Sequence, residues 1–195
     1  MRMKLETKRL ILRKPKLSDW RDIVEGVGDL NVSKFTEKIP YPYKKKDAIG
    51  WLKNSIKEWC KNGYCFLIEL KEEKKVIGCI HLMEVSKFKG TAGTGSWINR
   101  KYWRKGYITE VKIAANNFAF NKLKLRKLNS TVFVDNLASN KTQQSIGYQF
   151  EGRKNKDTRS LATGKIKDVN LYGLFKEDWK KNLPKFRKKL TKKLK

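Results

Sequence analysis

The sequence predicts an α+β domain, a mixed α/β arrangement in which helices flank one sheet. Three observations carry that expectation. Short segments with strand-like patterning recur through the chain, and two longer segments place apolar residues at three- and four-residue spacings. Their order is strand, helix, helix, several strands, helix, strand, helix, strand, which is not the regular alternation of a doubly wound fold. At 195 residues and 39% hydrophobic content, the chain suits one well-packed core rather than two.

Taken in order, residues 9–13 (RLILR) read as a short strand, and Ser18 is placed to cap a first helix running to about Gly26. Residues 40–43 (PYPY) break the chain. Ile49, Leu52, Ile56 and Trp59 then mark one face of a second helix over residues 47–62. Strands at 65–70 and 76–85 bracket a polar turn at 71–75, a hairpin signature. After the glycine-rich segment 90–93 comes a strand through 95–98. The next helix carries Ile108, Val111, Ala115, Phe118 and Ala119 on one face. Residues 128–134 alternate as a strand, residues 136–139 open a short helix that Gly147 closes, and a last strand lies at 168–175.

A domain at residues 1–179 is therefore expected, followed by a basic tail or helix at 180–195. In that tail Leu183, Phe186, Leu190 and Leu194 recur at helical spacing among nine lysines and arginines. Either it docks on its own domain with its lysines in solvent, or it touches RNA, an acidic protein or a membrane surface.

Forty-seven Lys and Arg against 19 Asp and Glu give a formal net charge of +28. Such a field draws anionic partners, nucleic acid or a phosphorylated cofactor among them, although a generally lysine-rich composition produces the same number without any ligand. No segment approaches the roughly 18 apolar residues of a membrane span, and the first ten residues lack the apolar block of a signal peptide, so a cytoplasmic location is expected. Cys60, Cys65 and Cys79 form no Cys-x-x-Cys pair, which speaks for reduced thiols and no metal site.

Residues 102–110 (YWRKGYITE) join a strand to a helix through two cations and a glycine. Glycine lets the backbone approach a ligand, and the first-turn amides of the helix lack intrahelical acceptors, so the turn suits an anion such as a pyrophosphate. Both Gly-x-x-x-x-Gly-Lys-Ser/Thr and Gly-x-Gly-x-x-Gly are absent, which argues against ordinary nucleoside triphosphate or dinucleotide sites.

LETKRLILR from Leu5 with Asp19, Pro40-Tyr41-Pro42, Ile77-Gly78, Trp97-Ile98, YWRKGYITE and NLASNKTQQSIGYQFEG from Asn136 together resemble the GNAT acetyltransferases, and within them the RimJ/RimL branch that acetylates protein amino termini. The resemblance covers roughly residues 5–179. It implies the acyl-CoA N-acyltransferase fold, in which a mixed central sheet splays to admit acetyl-CoA. On that match the main chain at Trp97, Ile98 and Asn99 meets the pantetheine, and Arg104, Lys105, Gly106, Tyr107, Ile108 and Thr109 hold the phosphates. Asn136 contacts the pantetheine region, and Ser139 is the candidate donor to the leaving sulfur. Arg104 and Ile108 stand where the family usually has glycine and alanine, and Gln143 stands where many members use a tyrosine, so the tyrosine route is expected to be missing.

Acetyl transfer needs a neutral amine, a donor for the carbonyl oxygen and stabilisation of the sulfur, with no covalent enzyme intermediate. An α-amine near pKa 7.7–8.0 is neutral at pH 7 roughly a hundredfold more often than a lysine near 10.4. A main-chain N–H of residues 97–99 is assigned to the oxyanion. The base is His81 or water, Cys79 is a core thiol, and Tyr41, Tyr43 and Trp51 either pack or line a substrate groove. The acceptors implied are protein amino termini, led by ribosomal or acidic proteins on grounds of charge, with polyamines behind. A nucleic-acid-binding module on the same scaffold is the alternative, and monomer and homodimer both stay open.

Overall fold

The computed structural model describes residues 3–193. These hold eight strands and six α-helices, in chain order β1 (Lys4–Glu6), β2 (Leu10–Arg13), α1 (Trp20–Val27), α2 (Leu30–Ser33), α3 (Lys45–Lys57), β3 (Tyr64–Leu70), β4 (Lys75–Ser86), β5 (Thr91–Ile98), α4 (Tyr107–Asn117), β6 (Lys127–Phe133), α5 (Leu137–Ser145), β7 (Gln149–Arg159), β8 (Ile166–Phe175) and α6 (Lys176–Lys193). They form one sheet in the order β1-β2-β3-β4-β5-β6-β8-β7. Every neighbouring pair is antiparallel except β5 and β6, which run parallel.

The sheet is covered on both faces because its central strands are apolar on both. Along β3, Phe66 and Ile68 join a large core with Val111 and Phe118 of the α4 segment and Trp179 and Phe186 of α6. Cys65 and Leu67, pointing the other way, pack with Ile23 and Val27 of α1 and Ala48 and Leu52 of α3. α4 ends in a wider, π-helical turn over Phe118–Lys122 that sends Phe118 and Phe120 inward.

Several boundaries differ from the sequence expectation for local reasons. Asp19, not Ser18, organises the start of the first helix: its carboxylate accepts from the Lys16 N–H at 2.7 Å and forms a two-pronged pair with Arg13. α3 begins at Lys45 because Asp47 accepts from the Lys44 N–H at 2.8 Å, and it stops at Lys57, short of Cys60 with its left-handed φ of 66°. β5 starts at Thr91 rather than residue 95. Two strands escaped the sequence reading: β1, only three residues long, and β7, which is exposed along most of its length and so lacks apolar alternation.

α6 crosses the expected boundary at residue 179 without a break. Trp179 and Phe186 are buried in the main core, and the Trp179 indole donates to the Asn117 side chain at 3.0 Å. The helix therefore docks on its own domain, with Lys180, Lys181, Lys185, Arg187, Lys188 and Lys189 exposed. Leu194, expected to continue its apolar stripe, lies outside the described residues.

Candidate active site

The site begins where the two parallel strands separate. β5 pairs with β6 only over Thr91–Thr94 against Lys127–Ser130; beyond Thr94 and Ser130, β5 keeps β4 while β6 keeps β8. A wedge opens between them. Side-by-side antiparallel residues exchange hydrogen bonds in alternate pairs, so the Asn99 N–H, which donates to Ile77 at 2.8 Å, fixes the pattern for the strand. Trp97 and Asn99 direct their main-chain groups to β4, whereas Ser96 and Ile98 direct theirs into the wedge. Of residues 97–99, expected to meet the pantetheine through the main chain, Ile98 alone faces the wedge in this register, and Ser96 joins it. The Asn99 side chain instead accepts from the Lys101 N–H, and the Trp97 ring packs over Gly26.

From Ile98 the chain turns into α4. The Trp103 indole donates to the Ile98 carbonyl at 2.7 Å, tying the turn to the strand end. Arg104 and Gly106 both have positive φ, 62° and 77°, and Gly106 caps α4 without a side-chain hydrogen bond. That left-handed backbone at 104 explains why a glycine suits the position better than an arginine. First-turn amides of α4 thus face outward at the positive end of the helix dipole, with exposed Arg104 and Lys105 beside them. Tyr107 is buried under the Arg9 guanidinium, 4.0 Å from its ring centre, and Ile108 packs against the core, so neither side chain narrows the turn. Arg9 also donates to Glu110 at 2.8 Å and to the Lys105 carbonyl at 3.0 Å, holding the turn against the body of the domain. Among the described residues no other side chain grips the turn this way, and sequence reading missed both Arg9 and Glu110.

Across the wedge stands α5. Asn136 caps it, its side-chain oxygen accepting from the Ser139 N–H at 3.1 Å, and its amide N–H groups meet no protein acceptor among the described residues. Asn140 nails the helix down. It donates to the Phe133 and Asn136 carbonyls and accepts from Asn170 and the Tyr172 hydroxyl, both at 2.8 Å. Ser139 and Gln143, one turn apart, share the face toward the wedge. Gln143 accepts from the buried Lys112 ammonium of α4 at 3.0 Å, and its own N–H donates to the Ser130 hydroxyl. Burial pushes the Lys112 ammonium down to about 8.

Trp97, Asn136, Ser139 and Gln143 line one cavity of about 670 Å³, while the turn 104–109 lies outside its lining. His81 and Cys79 of β4 and Tyr43 and Trp51 from the α3 side also line it; Tyr41 does not. Burial holds the His81 imidazole below its ordinary pKa, so it is neutral at pH 7, and no protein group among the described residues hydrogen-bonds it. Cys79 shares a 3.4 Å hydrogen bond with Cys65, and that bond together with burial pushes its thiol up, as suits a core thiol. At the outer edge the lining carries Glu37, Glu84 and Asp157 against one cation, Lys38. There the turn after β7 is clasped to the loop after α2: the Leu161 N–H donates to the Glu37 carbonyl at 3.0 Å, and the buried Ser160 hydroxyl donates to the Lys34 carbonyl at 3.2 Å.

A family profile described as the acetyltransferase (GNAT) domain matches residues 9–149. The chain belongs to the GNAT acetyltransferase family. It is an N-acetyltransferase that uses acetyl-CoA. The chain is 27% identical over 177 residues to an uncharacterized N-acetyltransferase, p20, of Bacillus licheniformis, covering 90% of this chain and 97% of that protein. The crystal structure of the microcin C7 self-immunity acetyltransferase MccE in complex with acetyl-CoA and AMP superposes with a TM-score of 0.76 at 18% identity, covering 87% of this chain and 93% of that one. A ribosomal-protein-S5-alanine acetyltransferase from Vibrio fischeri superposes with a TM-score of 0.78, also at 18% identity, over 91% and 98% of the two chains. Both likenesses are of fold.

The residues present fit the GNAT donor. Among the described residues the Ser96 main chain and the Ile98 N–H on the wedge side of β5 have no strand partner, the Ile98 carbonyl being taken by Trp103, and a left-handed glycine opens the helix beyond. Among the described residues, no helix is long and apolar enough to cross a membrane and no group of three or more His, Cys, Asp and Glu could hold a metal.

Proposed function

We propose that this GNAT enzyme acetylates the free α-amine of a peptide or protein, as the RimJ/RimL branch does, with the donor in the wedge and the acceptor in the cavity beside it. The observation that carries the reading is the separation of β5 from β6 just past Thr94 and Ser130, with the Ser96 and Ile98 amides on one side and Asn136 and Ser139 on the other. In this reading Ile98 and Ser96 orient the pantetheine arm and supply the N–H for the carbonyl oxygen. Asn136 steadies the arm, Ser139 faces the sulfur, and Arg104, Lys105, Gly106, Tyr107, Ile108 and Thr109 receive the diphosphate, the last four through the main chain. Acetyl-CoA supplies the acyl group as a thioester. His81, neutral and on the acceptor side, takes the proton of the attacking amine directly or through water.

The acceptor is argued from the cavity wall rather than the whole chain. Net charge alone favours an acidic acceptor, but the wall holds Glu37, Glu84 and Asp157 against Lys38, the sign that receives a cation. Amino termini followed by neutral or basic residues therefore lead. The same carboxylates support a polyamine as the second acceptor. The exposed cations of α6 support a ribosome or RNA contact outside the site. Thiol release measured with peptides of free amino terminus, varied from acidic to basic at the second residue, and with spermidine, tests the order. Neutral and basic peptides are expected to give the highest kcat/KM. A higher value for spermidine than for every peptide would overturn the α-amine reading, and preference for acidic peptides would overturn the charge argument.

A further inference from the structure

Lys112 is the least expected residue in the core. It lies on the inward stripe of α4, between Ile108 and Ala115, is 3% exposed, and forms no ion pair with any carboxylate among the described residues. Its surroundings are the Tyr148 ring, 5.5 Å away, and the Gln143 side chain. A buried, uncompensated ammonium destabilises a fold, and a methionine of similar length would not. Fold stability therefore gives no reason for a lysine there.

An ammonium group has three donors and no acceptor, so only the amide oxygen of Gln143 can face it. Chemistry thus decides which way the amide points. The Gln143 nitrogen is directed away from α4, giving one hydrogen to the Ser130 hydroxyl, which in turn donates to the Thr94 carbonyl at 3.4 Å. Thr94 and Ser130 are the last paired residues of β5 and β6, so this chain of hydrogen bonds ends at the apex of the wedge. The second hydrogen on the Gln143 nitrogen has no protein acceptor among the described residues, and Gln143 lines the cavity.

We propose that Gln143 donates this unspent N–H to the departing sulfur of the acetyl donor, and that Lys112 is the positioning residue that fixes the amide for it. The inference rests on the proposed seating of the thioester in the wedge. As the amine nitrogen bonds to the acetyl carbon, the carbon–sulfur bond breaks and sulfur keeps the electron pair. The proton lost by nitrogen goes to the acceptor side, and the thiolate is stabilised by the Gln143 N–H without taking that hydrogen. A thiol pKa of about 8.5 makes such a thiolate a workable leaving group near neutral pH. The Lys112 charge, held behind the amide in a water-poor site, polarises the donor in the same sense.

Gln143→Glu tests the pair, because its two readouts move in opposite directions. A carboxylate gives Lys112 a counter-ion, so Tm is expected to rise, while an acceptor-only group facing the sulfur lowers kcat by about tenfold or more. The KM for acetyl-CoA should stay within about threefold. Lys112→Met is the second variant: it frees the amide to turn, so kcat falls several-fold with no loss of Tm. A Gln143→Glu enzyme with kcat within about twofold of the wild type, or with its loss in KM alone, overturns the assignment. If that variant does not fold, unchanged kcat in Lys112→Met overturns it instead. Calorimetry of the wild-type chain with acetyl-CoA separates the levels: no binding removes the proposed seating, whereas binding and turnover with an indifferent Gln143→Glu removes only this inference.

Discussion

The two ends of the site carry opposite charge in a chain of formal net charge +28. At the turn before α4, Arg104, Lys105 and the outward amides of the helix present positive potential. At the outer edge of the cavity, three carboxylates face one lysine. Net charge describes the solvated exterior, where screening acts over about 8 Å at physiological salt; a wall of chosen sign acts at contact distance. The two ends differ in construction as well. The turn is braced by buried contacts from Arg9 and Glu110, while the acidic edge is built from exposed loop and strand residues. Charge at the turn should therefore be coupled to stability, and charge at the edge should not.

Glu110→Gln breaks that comparison most sharply. Glu110 is 2% exposed and accepts from both the Arg9 guanidinium and the Arg9 N–H. Leaving Arg9 uncompensated is expected to cost about 3 kcal/mol, roughly 6–12 °C in Tm for a domain of this size. The acetyl-CoA KM should rise while the acceptor KM does not, as thermal unfolding and steady-state kinetics will show.

Lys112→Met probes the buried charge between the two ends. Its ammonium titrates near 8 in the fold against an ordinary 10.5. Between those values the unfolded chain holds a proton that the folded chain has released, so stability gains with rising pH from about 8 to about 10.5 and the full penalty is present below that window. The variant should exceed the wild type by up to a few kcal/mol at pH 7, and the gap should close only as pH passes about 10.5. A gap that stays constant with pH would remove the buried ammonium as its cause.

At the acidic edge, Glu37→Gln, Glu84→Gln and Asp157→Asn together should lower kcat/KM for cationic acceptors by about tenfold. Tm and the acetyl-CoA KM should hardly change. Asp157 already meets Lys154 at 3.3 Å, an exposed pair, and is expected to matter least of the three. The smallest effect is expected for Arg104→Gly: relief of the left-handed strain stabilises by about 1 kcal/mol, and the lost cation weakens acetyl-CoA binding a few-fold at low salt only.

The paired apolar strands, the amphipathic helices and the glycine turn that opens α4 were legible because each writes its period or its turn residue into a short stretch. β7 was not, since a sheet edge exposed along most of its length carries polar residues in no fixed alternation. The wedge leaves no local trace either: Trp97 and Ile98 look alike in sequence, and only the β4 register decides which of them turns its main chain inward. Arg9 and Glu110 are 101 residues apart, and their meeting is a property of the folded sheet. Lys112 did leave a signal, a charge at three- and four-residue spacing within the apolar stripe of α4. Its meaning appeared only once Gln143, from another helix, was placed beside it.

The clasp between Leu161 and Glu37 has its own consequence. Its two hydrogen bonds tie the loop after α2 to the turn after β7, segments some 126 positions apart, so two exposed stretches that would otherwise sway separately are yoked into one rim. Glu37, which lines the cavity, is thereby held by its main chain while its carboxylate stays in solvent.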